Sequence, residues 1–238
     1  MNHLKKTYIF LLLLAIGGLF MIKEKSFSTK HSEKLFRTIL LGASVGKEWN
    51  LPDWPERMHN NKYGFEMIPV YAFDKSQVLE EILMRPRRKF HFNKSYIKGF
   101  FSPAPQKPDA IIIKECAAYF PGDFTKYKIL IQQWISQYKT AGIQIILTTV
   151  VPVTRDHAQK RPGRLEEIIA YNNWIKEYAR NAGLNCIDLE AYLRISDNDR
   201  ALSPDLTNGD GLHLNSKAYK ILDRKLLDNL ETLFNQAS

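Results

Sequence analysis

The stretch PDAIIIKECA (residues 108–117) decides the fold. It is nearly all apolar through Ile113 and then breaks into the charged pair Lys114–Glu115. A strand with one wet face alternates polar and apolar residues, and a strand covered on both faces does not, so this run reads as a strand of a doubly covered sheet. Working outward, RTILLGAS (37–44), GFEMIPVYAF (64–73), IQIILTTVVPV (143–153) and LNCIDLE (184–190) read as further strands. Between them lie helical patterns: SQVLEEILMR (76–85) stopped before Pro86, FTKYKILIQQWISQYKTAG (124–142) closed by Gly142, and RLEEIIAYNNWIKEYARNAG (164–183). A last helix begins near residue 215. This alternation predicts an α/β fold, with a parallel sheet of about five strands and helices on both faces. Such sheets bind ligands at the carboxyl ends of their strands, near a switch in strand order.

At 238 residues and 45% apolar composition the chain is long enough for one domain with a sizeable core. The net charge is +9, of which the first 28 residues carry +3, leaving a mildly basic remainder. That balance suits an anionic polymer or a membrane surface and is not a nucleic-acid signature. Cys116 and Cys186 are the only cysteines. They would be able to pair in an exported protein, but both fall at or near strands and read as buried free thiols. No His, Cys and carboxylate cluster has metal-ligand spacing, so neither a metal nor another cofactor is expected.

The N-terminus, MNHLKKTYIFLLLLAIGGLFMIKEK, joins a basic start to an uncharged run from Tyr8 to Ile22. Fifteen residues is short of the roughly 20 that span a bilayer and fits the apolar region of an export signal. Ser26 and Ser28 offer a cleavage site, made poor by the intervening charges, and Lys5 and Lys6 favour a cytoplasmic N-terminus. Residues 1–28 therefore read as a signal peptide or membrane anchor, with a buried N-terminal helix as the remaining alternative. Residues 29–238 would form the working domain, anchored at the inner membrane and facing the periplasm, or periplasmic or secreted after signal cleavage. No Cys follows the apolar run, which excludes lipid attachment there.

Ser44 ends the first strand, and NGDGLHLNSKAY (208–219) places Asp210 and His213 just before the last helix. A cap and a tight turn would account for that segment: Asn215 or Ser216 starts the helix and Asp210 tightens the turn. The strand-end rule adds a second reading, because Ser44 and the Asp–x–x–His segment fall on one rim of the sheet. His213 would take the Ser44 proton, and Asp210 would fix the imidazole tautomer and stabilise the cation.

LLGASVG (40–46) and DGLHLN (210–215) resemble the first and last sequence blocks of the SGNH hydrolases, also called GDSL-type esterases. The resemblance covers residues 37–235 in element order and implies a flavodoxin-like three-layer α/β/α sandwich. It implies a Ser44 nucleophile completed by Asp210 and His213. It also implies ester hydrolysis, with an O-acetylated glycan as one candidate substrate. An acyltransferase using the same residues, or a non-catalytic binding protein on a degenerate scaffold, are the alternatives. Three departures stand out. The family's Asp before the nucleophile is Ala43; its second-block Gly has no counterpart in VYAFDKS; and its third-block Asn meets Ala117 and Ala118 in KECAAYFPGD. The family uses that Gly and Asn, with the Ser amide, as oxyanion donors, and losing one donor typically costs about 100- to 1000-fold in rate. The amides of Asp74 and Cys116 beside that of Ser44, or the side chains of Asn60, Asn61 or Tyr119, are candidate substitutes.

Substrate-binding candidates are Glu115, Tyr119, Arg155 and Trp49. Glu115 would be a rim carboxylate paired with Lys114 or Arg155, or an acid of raised pKa in the cleft. Arg155 and His157 sit in a loop after the fourth strand, solvated or facing an anionic group. Of Trp49 and Trp54, one is expected in the core and one in a pocket wall. The basic, aromatic stretch RPRRKFHFNK (85–94) reads as a surface loop or a contact to polysaccharide or phospholipid.

Overall fold

A computed structural model describes residues 35–87 and 105–237. The N-terminal segment and most of RPRRKFHFNK lie outside the described residues. Five strands form one parallel sheet: β1 (Phe36–Gly42), β2 (Tyr63–Pro69), β3 (Ala110–Ile113), β4 (Gln144–Thr148) and β5 (Asn185–Ile187). Their order is β2-β1-β3-β4-β5, so the direction of winding reverses between β1 and β3. The register sets Leu41 beside both Ile68 and Ile113, which aligns the carboxyl ends of the three strands around the switch point.

The helices are α1 (Ser44–Trp49), α2 (Trp54–Arg57), α3 (Ser76–Met84), α4 (Phe124–Thr140), α5 (Arg155–Gln159), α6 (Arg164–Asn181), α7 (Leu189–Leu193) and α8 (Ser216–Ala237). Alternate strand residues feed two cores. Ile39, Leu41, Ile111, Ile113, Ile145 and Leu147 pack with α3, α4 and α6. Leu40, Ile112, Ile146 and Ile187 pack with α1, α2, α7 and α8. The uninterrupted apolar run at β3 is thus read by both layers, and the three-layer α/β/α sandwich follows.

The strands end earlier than their apolar runs, because other groups take over the backbone. β2 stops at Pro69, which has no N–H for the ladder. The run after β4 leaves the sheet: the Asn172 side chain accepts from Val150 N–H at 2.7 Å and donates to Val150 O at 2.9 Å. Because the strands are parallel, the loops after β1, β2, β3 and β4 all emerge on one rim. Among the described residues no helix is long and apolar enough to cross a membrane.

Candidate active site

Ser44 is the first residue of α1, immediately past the β1 turn, and is half-buried. The loop before α8 is drawn tight by an isolated antiparallel bridge between Thr207 and Leu214 and by Asn208 N–H donating to His213 O at 3.1 Å. Within it, Asp210 Oδ1 accepts from Leu212 N–H (2.7 Å) and His213 N–H (2.8 Å). Its other oxygen, Oδ2, lies 2.5 Å from His213 Nδ1. On the far side of the ring, His213 Nε2 lies 2.9 Å from Ser44 Oγ. The tautomer consistent with this network places the proton on Nδ1, donating to Asp210, and lets Nε2 accept from the Ser44 hydroxyl. Asp210 therefore tightens the turn and holds the imidazole, and Asn215 caps α8 by accepting from Ala218 N–H at 3.1 Å. The cap and the Asp210–His213 hydrogen bond are both present in one segment.

Burial pushes the Asp210 carboxyl up, but the hydrogen bonds from the His213 ring and from the His213 and Leu212 amides outweigh it and hold its pKa to about 2. Asp210 is thus ionised at neutral pH. The loop rests on the segment after β4: Thr154 N–H donates to Gly211 O at 3.0 Å. His157, one turn on, accepts at Nδ1 from Arg164 Nη1 at 3.0 Å. Burial, then the cations Arg164 and Lys160, lower the His157 pKa.

The other expected site residues divide. Tyr119 lies on the correct rim, in the single turn Ala117–Tyr119 after β3, but its hydroxyl donates to Val70 O at 3.1 Å. Cys116 is buried, and its Sγ accepts from Ala118 N–H at 3.5 Å. The amide N–H groups of Ser44, Asp74 and Cys116 have no acceptor among the described residues. Cys116 and Cys186 are both free thiols.

Four expectations are corrected. Glu115 is wholly buried and is no rim carboxylate; burial raises its pKa, the direction of the alternative reading, and it pairs with Lys75 at 2.5 Å, a partner from the loop after β2. Trp49 and Trp54 are both in the core, at 2% and 0% exposure, so neither walls a pocket. Their indole N–H groups bind Asp223 of α8, Trp49 at Oδ1 (2.9 Å) and Trp54 at the carbonyl (3.3 Å). Arg155 is exposed and turned to Asp199 at 3.0 Å, and no contact among the described residues joins it to Ser44 or His213. Asn60 and Asn61 precede β2 and so sit at the opposite rim, where Asn60 Oδ1 accepts from Lys62 N–H.

Lys75 was not singled out by the sequence. Its only signal was indirect: a carboxylate directly after a doubly buried strand needs a cation, and the nearest one in sequence, Lys114, is used elsewhere. Lys114 Nζ bonds the Glu115 carbonyl at 3.3 Å, and burial lowers its pKa.

A parallel sheet that reverses beside β1, with a serine after β1 hydrogen-bonded to an Asp–x–x–His segment before the last helix, defines a three-layer α/β/α scaffold with that line at its switch point. The chain belongs to the GDSL-like lipase/acylhydrolase family, whose model matches residues 52–221, a span that contains Asp210 and His213 and starts after Ser44. It is similar to a GDSL-like lipase from Bacteroides thetaiotaomicron, at 17% identity and a TM-score of 0.61, over 91% of this chain and 97% of that one. A lipase/acylhydrolase from Enterococcus faecalis is similar at 14% identity and a TM-score of 0.56, over 83% and 96%. A catalytic mutant of an acetylxylan esterase from Geobacillus stearothermophilus is similar at 13% identity and 0.58, over 82% and 94%. At these identities the likeness is one of fold. No curated protein matches the chain.

Proposed function

We propose that the protein is a serine hydrolase of carboxylic esters, acting through Ser44, His213 and Asp210 by way of an acyl-enzyme. The observation that carries this is the continuous line Asp210 Oδ2–His213–Ser44 Oγ, at 2.5 and 2.9 Å. Ser44 Oγ attacks the ester carbonyl while its proton passes to His213 Nε2. The tetrahedral adduct collapses, the alkoxide leaves with that proton, and an acyl group remains on Ser44. Water then repeats the sequence and releases the acid. Asp210 stays ionised throughout and stabilises the imidazolium. An O-acetyl group on a glycan is the proposed substrate, supported by the family and by the acetylxylan esterase among the structural relatives. Export, with anchoring through residues 8–22, is proposed from the sequence alone; recovery of the full chain in soluble cytoplasm would contradict it.

A fluorophosphonate probe tests the chemistry, since it needs a hydroxyl activated by a base. The wild-type chain is expected to take one adduct on the peptide carrying Ser44. Ser44→Ala is expected to abolish labelling, and His213→Ala and Asp210→Asn to suppress it severely. The three changes together should cost little more than the worst single one. A folded wild-type chain that takes no label at Ser44, beside a control hydrolase that does, refutes the proposal in favour of a binding scaffold.

A further inference from the structure

Two loops meet beside Ser44, one after β2 and one after β3, and a buried ion pair joins them. Lys75 Nζ lies 2.5 Å from Glu115 Oε2, with both side chains at zero exposure. The same ammonium donates to Ala72 O at 3.3 Å and Phe73 O at 3.2 Å. It sits 5.3 Å from the Phe73 ring centre and 5.4 Å from that of Tyr119. A second tie runs alongside, from the Tyr119 hydroxyl to Val70 O. The loop is fastened to the nucleophile's own strand by Val70 N–H, which donates to Gly42 O at 2.8 Å, two residues before Ser44.

Such a pair is poorly suited to stabilising the fold. Glu115 Oε1 is buried with no hydrogen-bond partner. A buried ion pair offsets its desolvation only when its remaining lone pairs are satisfied, and apolar replacements are often as stable. Geometry supplies another purpose. In a planar trans peptide the C=O and the following N–H point in opposite directions. Drawing the carbonyls of Ala72 and Phe73 towards Lys75 turns the N–H groups of Phe73 and Asp74 away from it. Holding Val70 O on the Tyr119 hydroxyl turns the Tyr71 N–H away from Tyr119. Among the described residues, none of these three N–H groups has an acceptor.

We infer that Lys75 and Glu115, with Tyr119, are positioning residues that hold the amides of Tyr71, Phe73 and Asp74 as donors to the developing oxyanion. They would replace an arrangement that Gly and Asn side-chain and backbone donors supply elsewhere in the family. The inference rests on the proposed hydrolase reading.

The test uses the full chain, fluorophosphonate labelling of Ser44, p-nitrophenyl acetate turnover and thermal unfolding. Lys75→Met is expected to slow labelling and kcat about 100-fold while KM changes little, as for loss of one oxyanion donor. Lys75→Met with Glu115→Gln removes both buried charges; Tm should recover, and kcat should not. Tyr119→Phe, which deletes a single hydroxyl, is expected to lower kcat about 10-fold at unchanged Tm. Leu226→Ala, in the α8 core, should lower Tm without slowing labelling. If the double variant regains both Tm and kcat, the pair only balances charge and the inference fails. Wild-type kcat in Tyr119→Phe overturns it as well, even if Lys75→Met does not fold. An unlabelled wild-type Ser44 overturns the hydrolase reading and this inference together, whereas a labelled wild type with an equally reactive Lys75→Met overturns this inference alone.

Discussion

Gly211 separates Asp210 from Leu212 and His213, and replacing it with Ala probes how firmly the histidine is held. Its φ is +76°, where an L side chain costs about 1–2 kcal/mol. An added Cβ would also lie 2.3 Å from Thr154 Oγ1 and 3.0 Å from His157 Cβ. Thr154 is pinned, since its Oγ1 accepts from His157 N–H to cap α5 and its own N–H is bonded to Gly211 O. The overlap therefore has to be relieved by moving the 208–213 loop, and overpacking of this kind costs about 1–3 kcal/mol more, for about 2–5 kcal/mol in all. In a domain of this size that lowers Tm by roughly 4–20 °C. The displaced loop carries His213 away from its 2.9 Å contact with Ser44, and a shift of about 1 Å is worth about 100-fold in rate. Gly142→Ala is the matched control: φ is +69°, but nothing lies within 4 Å of the added Cβ. It should lose only the strain energy and keep full reactivity. Thermal unfolding and fluorophosphonate labelling of both variants provide the comparison. If Gly211→Ala labels at the wild-type rate and loses no more stability than Gly142→Ala, the packing of the loop on Thr154 does not position His213.

Two further outcomes are expected. Asp210 has a depressed pKa, so its contribution to stability is present above the unfolded carboxyl's value of about 3.9 and lost as pH falls through about 2. Because the side chain is 46% exposed, screening reduces that contribution to about 1 kcal/mol. Urea unfolding of wild type and Asp210→Asn should differ at pH 7 and converge between pH 4 and pH 2; an undiminished gap at pH 2 contradicts the assignment. Trp49→Phe removes a buried indole donor from Asp223 and should cost about 1–3 kcal/mol. It should leave KM for p-nitrophenyl acetate unchanged, and a raised KM would return Trp49 to the substrate pocket.

The sequence by itself determined the layering of this protein. β3 carries its burial on both faces in four consecutive apolar residues, and the helices between strands carry their periodicity and their glycine stops, because these are local patterns with fixed spacing. It also brought Asp210 and His213 together, since three residues in a tight turn leave little freedom, and the strand-end rule put Ser44 on their rim. What only the tertiary structure decided were the partners reached across the fold. Trp49 looked like a pocket wall from its place soon after Ser44, and its indole instead meets Asp223, 174 residues away on α8. Glu115 looked like a rim carboxylate, and its cation proved to be Lys75, 40 residues earlier in a loop with no regular pattern. A side chain's burial depends on what packs over it, and its ion pair depends on which loop the winding of the sheet brings alongside. Neither is encoded within the few residues that a sequence motif can read.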